Sequence, residues 1–148
     1  MAQTVEGHYG MEGAAQRILD ALAKAGISEV TPQTLGPADQ LHAGGIDATR
    51  NLARMAQMKP GDRVLDMGSG LGGPARVFAG EFGCDVTGID LTPEFVRDAT
   101  VLTERCGLSE KVRFDVGSAL DLPYGDGSFD VVVTEHAVMN IKDRDTFY

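Results

Sequence analysis

Residues Arg63 to Ala79 read RVLDMGSGLGGPARVFA: an apolar run that ends on Asp66 and then breaks into glycines. Gly68, Gly70, Gly72 and Gly73 fall within six positions, too dense a cluster to serve packing alone. Gly68, Gly70 and Gly73 satisfy G-x-G-x-x-G between a strand and a helix that opens with Pro74, and Asp90 closes the next apolar run about 20 residues on. Glycines let a backbone approach a ligand closely, and an acid at that distance can accept hydrogen bonds from both hydroxyls of a ribose. The pattern therefore points to a nucleoside ligand; a glycine turn needed only for helix packing is the plainer alternative.

Working outward, short apolar runs alternate with helix-length segments: RVLDM, Pro74 to Phe82, CDVTGID, Pro93 to Cys106, KVRFDV and FDVVVTE. Four strands joined by helical crossovers make an α/β domain with a parallel sheet. Before it, Ala15, Ile18, Leu19, Leu22 and Ala23 recur at helical spacing, predicting a helix over Glu12 to Ala25 that Gly26 ends. TPQTLGPADQLHAGG reads as turns, and a second helix is expected from Ile46 to Gln57. Residues 1–60 form a helical preface and 61–148 the sheet region of one domain.

Asp66 narrows the ligand. A pyrophosphate on this turn would meet a carboxylate with no lysine or arginine nearby in sequence, whereas a cationic ligand would be attracted. S-adenosylmethionine carries an ammonium and a sulfonium, a ribose and no phosphate; Asp66 can hold the amino group while backbone N–H groups of the turn take the carboxylate. A cap or dipole contact by Asp66 is the alternative without a ligand. The net charge of −9 argues against nucleic acid and anionic membranes as partners. Cys84 and Cys106 form no metal-binding pattern, so no metal is expected, and two free thiols fit a cytoplasmic protein. The opening MAQTVEGHYGMEG lacks the basic start and apolar core of a signal peptide, and no apolar run approaches roughly 18 residues.

VLDMGSGLG, VTGIDLTPEFV and VRFDVGSALDLPYGDGSFDVVVTEHAVMNI together resemble, in order and spacing, the successive motifs of class I S-adenosylmethionine-dependent methyltransferases of the type 11 group. DQLHAGGIDATRNLA, GSGLGGPAR and EHAVMNIKD are most similar to the branch of sarcosine and dimethylglycine N-methyltransferases. The resemblance implies a Rossmann-like sheet of order 3-2-1-4, the N-terminal half of that fold, and methyl transfer to a small-molecule acceptor with S-adenosylhomocysteine as product. It also implies a chain that stops after the fourth strand; the apolar FDVVVTE edge then predicts a homodimer or higher self-association, with a piece of a longer protein as the alternative.

The resemblance further places Asp66 on the methionyl ammonium, with Gly68, Ser69 and Gly70 against the methionine and ribose. Asp90 takes the ribose hydroxyls, Leu91 packs on adenine, and Ser118 and Ala119 flank its edge. Relatives usually carry Asp where Ser118 stands. Glu135, His136 and Asn140 fall in the region facing the sulfonium methyl, with His136 as a candidate base. His8 and Tyr9 lie in a segment that folds over the cofactor in relatives, and His42 is a further candidate for the pocket. A cofactor-binding module without turnover and an NAD-dependent oxidoreductase are the rival readings.

Overall fold

The computed structural model describes residues 13–135, 137 and 142–147. Its element order is α1 (Ala14–Lys24), α2 (Pro32–Asp39), α3 (Gly45–Met55), β1 (Arg63–Met67), α4 (Gly73–Phe82), β2 (Asp85–Asp90), α5 (Pro93–Arg105), β3 (Val112–Val116), β4 (Val131–Val133) and α6 (Arg144–Phe147). The strands form one sheet of order β3-β2-β1-β4, and every pairing is parallel. The expected order is thereby observed. β1, central and flanked on both sides, carries its burial without interruption from Val64 to Met67, as a strand covered on both faces must.

Strand alternation divides the core between the two faces. Val64, Val86, Val112 and Val133 face a cluster with Ala75, Phe78 and Ala79 of α4 and Ala53 of α3. Leu65, Met67 and Ile89 pack with Ala119, Tyr124 and Phe129. Asp66 lies across from Gly88 of β2 and Val133 of β4.

The preface packs onto this sheet layer, α1 against α5, and α2 and α3 against α4. The stretch expected as turns contains α2. Thr31 caps it: its hydroxyl accepts from the Thr34 N–H, and the Thr34 hydroxyl accepts in return from the Thr31 N–H. A complete capping box with Pro32 in the first turn outweighs Gly36 and Pro37 inside a helix of only eight residues. FDVVVTE also shortens, to three paired residues, because Thr134 and Glu135 leave the ladder toward the site.

Arg76 locks preface and sheet together. Its guanidinium is fully buried and donates to Asp39 Oδ2 at 2.8 Å, the Leu71 carbonyl at 2.6 Å, the Ala99 carbonyl at 3.2 Å and Thr103 Oγ at 3.0 Å. One side chain thus ties α2, the glycine turn and α5 to α4. Burial raises the Asp39 carboxyl above the usual range even against the adjacent Arg76 charge.

Candidate functional site

The carboxyl ends of β1, β2 and β3 open onto a cavity of about 600 Å³, where ligands bind in open parallel sheets. The glycine turn forms its floor. Gly68 has φ +74° and Gly70 φ +54°, and a Cβ on Gly68 would fall onto the Ala137 side chain, so glycine is required there by both conformation and space.

The turn's amides are engaged internally. Gly68 and Ser69 donate to the Ile89 carbonyl, Gly70 to Asp90 Oδ2 and Gly72 to the Ser69 carbonyl. Strand β2 thus holds the Gly68, Ser69 and Gly70 N–H groups, and the turn itself holds that of Gly72.

Asp90, at the end of β2, accepts from Gly70 N–H at 2.9 Å through Oδ2 and from Thr92 N–H at 3.0 Å through Oδ1. Each oxygen keeps a second lone pair, and Asp90 lines the cavity. Asp66 is only 1% exposed, and its Oδ2 has no hydrogen-bond partner among the described residues. Burial, with Glu135 and then Asp90 adding like charge, pushes its carboxyl up to about 8. Ser69 Oγ is likewise buried in the cavity wall without a partner among the described residues.

Leu91 is 70% exposed at the rim, with Phe95 and Leu120 beside it lining the cavity. Ser118 and Ala119 line it after β3; the Ser118 hydroxyl accepts the Leu120 N–H at 3.1 Å. Glu135 lines the opposite end together with Asp39, His42 and Lys142. The structure thus gathers Asp66, Gly68, Ser69, Gly70, Asp90, Leu91, Ser118, Ala119 and Glu135 around one space. Tyr9, His8, His136 and Asn140 lie outside the described residues.

Two preface contributions to this end escaped sequence reading. Thr49 Oγ donates to Glu135 Oε2 at 3.0 Å, and Gln40 Oε1 lies 2.8 Å from His42 Nε2. Both stand in DQLHAGGIDATRNLA, but the sequence separation to Glu135 leaves no local signal of their contact with it. Arg76 did carry one, as the charged member of the inward run GPARVFA. Among the described residues no group of three metal-ligating side chains occurs, and no helix is long and apolar enough to cross a membrane.

Residues 65–148 match the family model described as "Methyltransferase domain". The chain is 44% identical over 84 residues to norajmaline N-methyltransferase of Rauvolfia serpentina, covering 57% of this chain and 29% of that protein. It is 34% identical over 105 residues to phosphoethanolamine N-methyltransferase 3 of Arabidopsis thaliana, covering 71% and 21%. Among solved structures it resembles Haemonchus contortus phosphoethanolamine N-methyltransferase 2 in complex with phosphomonomethylethanolamine and S-adenosylhomocysteine. That likeness has a TM-score of 0.69 at 32% identity and covers 74% of this chain and 26% of that one. The chain therefore spans under a third of the length of each of these relatives.

Proposed function

Because the chain belongs to the methyltransferase domain family, whose model matches residues 65–148, we propose that it binds S-adenosylmethionine in the cavity above β1 and β2. It serves transfer of the methyl group to the nitrogen of a small molecule. The observation that carries the reading is Asp66: a buried carboxyl with an unpartnered oxygen on a cavity wall suits a ligand that brings its own cation. The cofactor supplies a methyl carbon already activated by a sulfonium.

The chain's part is to align and to exclude water. Asp66 holds the ammonium, Asp90 takes the ribose hydroxyls through its free lone pairs, and Leu91, Ser118 and Ala119 border the adenine. Gly68, Ser69 and Gly70 leave room for the methionine and ribose. Lys142, which lines the cavity, offers the cation for the cofactor's carboxylate in place of the engaged turn amides. Tyr9 closes over the cofactor, and His136, directly after Glu135, keeps the acceptor nitrogen unprotonated so that its lone pair can attack the methyl carbon.

For the acceptor we propose a small amine of the sarcosine or dimethylglycine kind. The N-methyltransferase names of the relatives support nitrogen as the target. An NAD-dependent reading is disfavoured, since a pyrophosphate would sit beside Asp66, Asp90 and Glu135. The whole forms one cofactor-binding domain in the cytoplasm, where the free Cys84 and Cys106 stay reduced. Self-association through β4 belongs to the same proposal: the strand ends the sheet among the described residues, and Val132 is 52% exposed.

Calorimetric titration with S-adenosylhomocysteine tests the site, and methylation of sarcosine or dimethylglycine tests the transfer. Micromolar binding with turnover is expected. Binding without methylation of any amine would reduce the chain to a cofactor-holding module, and tighter binding of NAD would overturn the reading.

A further inference from the structure

His42 projects from the connection between α2 and α3 into the wall of the cavity and meets Glu135, which follows β4. Four polar atoms close a ring there. His42 Nε2 lies 2.6 Å from Glu135 Oε2, Glu135 Oε2 lies 3.0 Å from Thr49 Oγ, Thr49 Oγ lies 2.9 Å from Gln40 Oε1, and Gln40 Oε1 lies 2.8 Å from His42 Nε2. The Thr49 hydroxyl, with one hydrogen, donates to Glu135 or to Gln40, and its oxygen also lies 3.1 Å from His42 Nε2. On the other side of the imidazole, Nδ1 lies 3.2 Å from the Ala43 carbonyl oxygen. Both ring nitrogens thus face acceptor oxygens, so that a hydrogen on either one has a partner. Side-chain exposure of 4% for His42 and 9% for Glu135 keeps the pair from being screened as a surface contact would be.

On the reading of the cavity as a cofactor site, we propose that His42 is a positioning residue: through Glu135 it offsets the negative charge beside Asp66, so that Asp66 meets the cofactor's ammonium as a carboxylate. Asp66 has three kinds of charged neighbours. Glu135 comes from beyond β4 and Asp90 from the end of β2, and both oppose its ionisation. His42 comes from the preface, with Asp39 of α2 behind it and Arg76 of α4 paired to Asp39. Lys142 and Asp143 face the same cavity. Glu135 is the stronger of the two like charges acting on Asp66, and it is the one that His42 and Thr49 hold. An uncompensated Glu135 would keep the proton on Asp66 and leave the ammonium without a counter-charge.

The test is the pH profile of binding, read by calorimetry from about pH 5.5 to 8.5, with S-adenosylhomocysteine and with adenosine, which lacks the ammonium. In the unaltered chain S-adenosylhomocysteine should bind more tightly as pH rises, while adenosine stays level. His42→Gln keeps a donor but not the cation; it should move the rise about one pH unit upward, which is about tenfold weaker binding at pH 7. Glu135→Gln should move it downward, and the double variant should follow Glu135→Gln, since His42 acts through that carboxylate. His42→Lys, which restores a cation, should recover part of the loss.

Thr49→Val removes one hydroxyl from Glu135 at nearly constant shape. It should give a smaller upward shift, and it decides the matter where His42→Gln does not fold. Superimposable profiles for the unaltered chain and these variants, or equal losses for adenosine, would overturn the role of His42. Absence of S-adenosylhomocysteine binding by the unaltered chain at every pH would instead overturn the cofactor reading itself.

Discussion

Asp66 and Asp90 end adjacent parallel strands and line the same cavity, yet their surroundings are opposite. Asp90 sits at the rim and accepts two backbone N–H groups, so its charge is already held and its direction fixed. Asp66 is buried, has an oxygen without a partner among the described residues, and is pushed up to about 8 by burial and the neighbouring carboxylates. One carboxylate is organised before any ligand arrives; the other is completed only by a cation that the ligand brings. Hydroxyl recognition needs geometry, and ammonium recognition needs unsatisfied charge. The same residue type performs both tasks because the strand ends differ in depth.

Substitution is the sharpest way to break this contrast. Asp90→Ala should have the largest effect. It removes hydrogen bonds to the ribose and also the acceptor of Gly70 and Thr92, a loss of roughly 1.5 to 3 kcal/mol, or about 10- to 150-fold in affinity for S-adenosylhomocysteine. Adenosine should lose as much, since both ligands carry the ribose; unchanged titrations would remove Asp90 from the site.

Asp66→Asn should weaken S-adenosylhomocysteine by about tenfold and adenosine by much less. Equal losses measured side by side would assign Asp66 to support of the turn.

Stability should respond in the opposite sense to binding. The Asp66 carboxyl titrates near 8 in the folded chain against an ordinary 3.8, so the folded state holds this proton more tightly than the unfolded one. Its contribution favours folding fully below about pH 4 and is lost as pH rises to about 8. Melting of the ligand-free chain from pH 5 to 8 should therefore fall relative to Asp66→Asn, which keeps an uncharged side chain throughout. Parallel melting curves would contradict the burial of an ionisable group there.

The smallest change is expected at the sheet edge. Val132→Lys should reduce self-association in sedimentation velocity and leave cofactor affinity unaltered.

The sheet was legible because parallel strands buried on both faces read as apolar runs, and the glycine turn because positive φ at Gly68 and Gly70 leaves little choice of residue. Helix α2 was misread because Gly36 and Pro37 outweighed a start signal that was present: Thr31, Pro32 and Thr34 spell the capping box. β4 was read too long because hydrophobicity does not show where a strand must bend away to deliver Glu135. His42 was noticed but not explained. Its partners Gln40, Thr49 and Glu135 come from the preface and from beyond β4, and only the fold brings them together.

Arg76 decides how small molecules reach the cavity. Detaching α2 would carry the Asp39 carboxyl into water and strand the Arg76 guanidinium as a lone buried charge, a cost of about 3 to 5 kcal/mol. At that cost the preface is lifted in roughly one molecule in a hundred or fewer. Traffic in and out is therefore expected across the exposed apolar lip of Leu91 and Leu120, and association rates should follow the bulk of those two side chains.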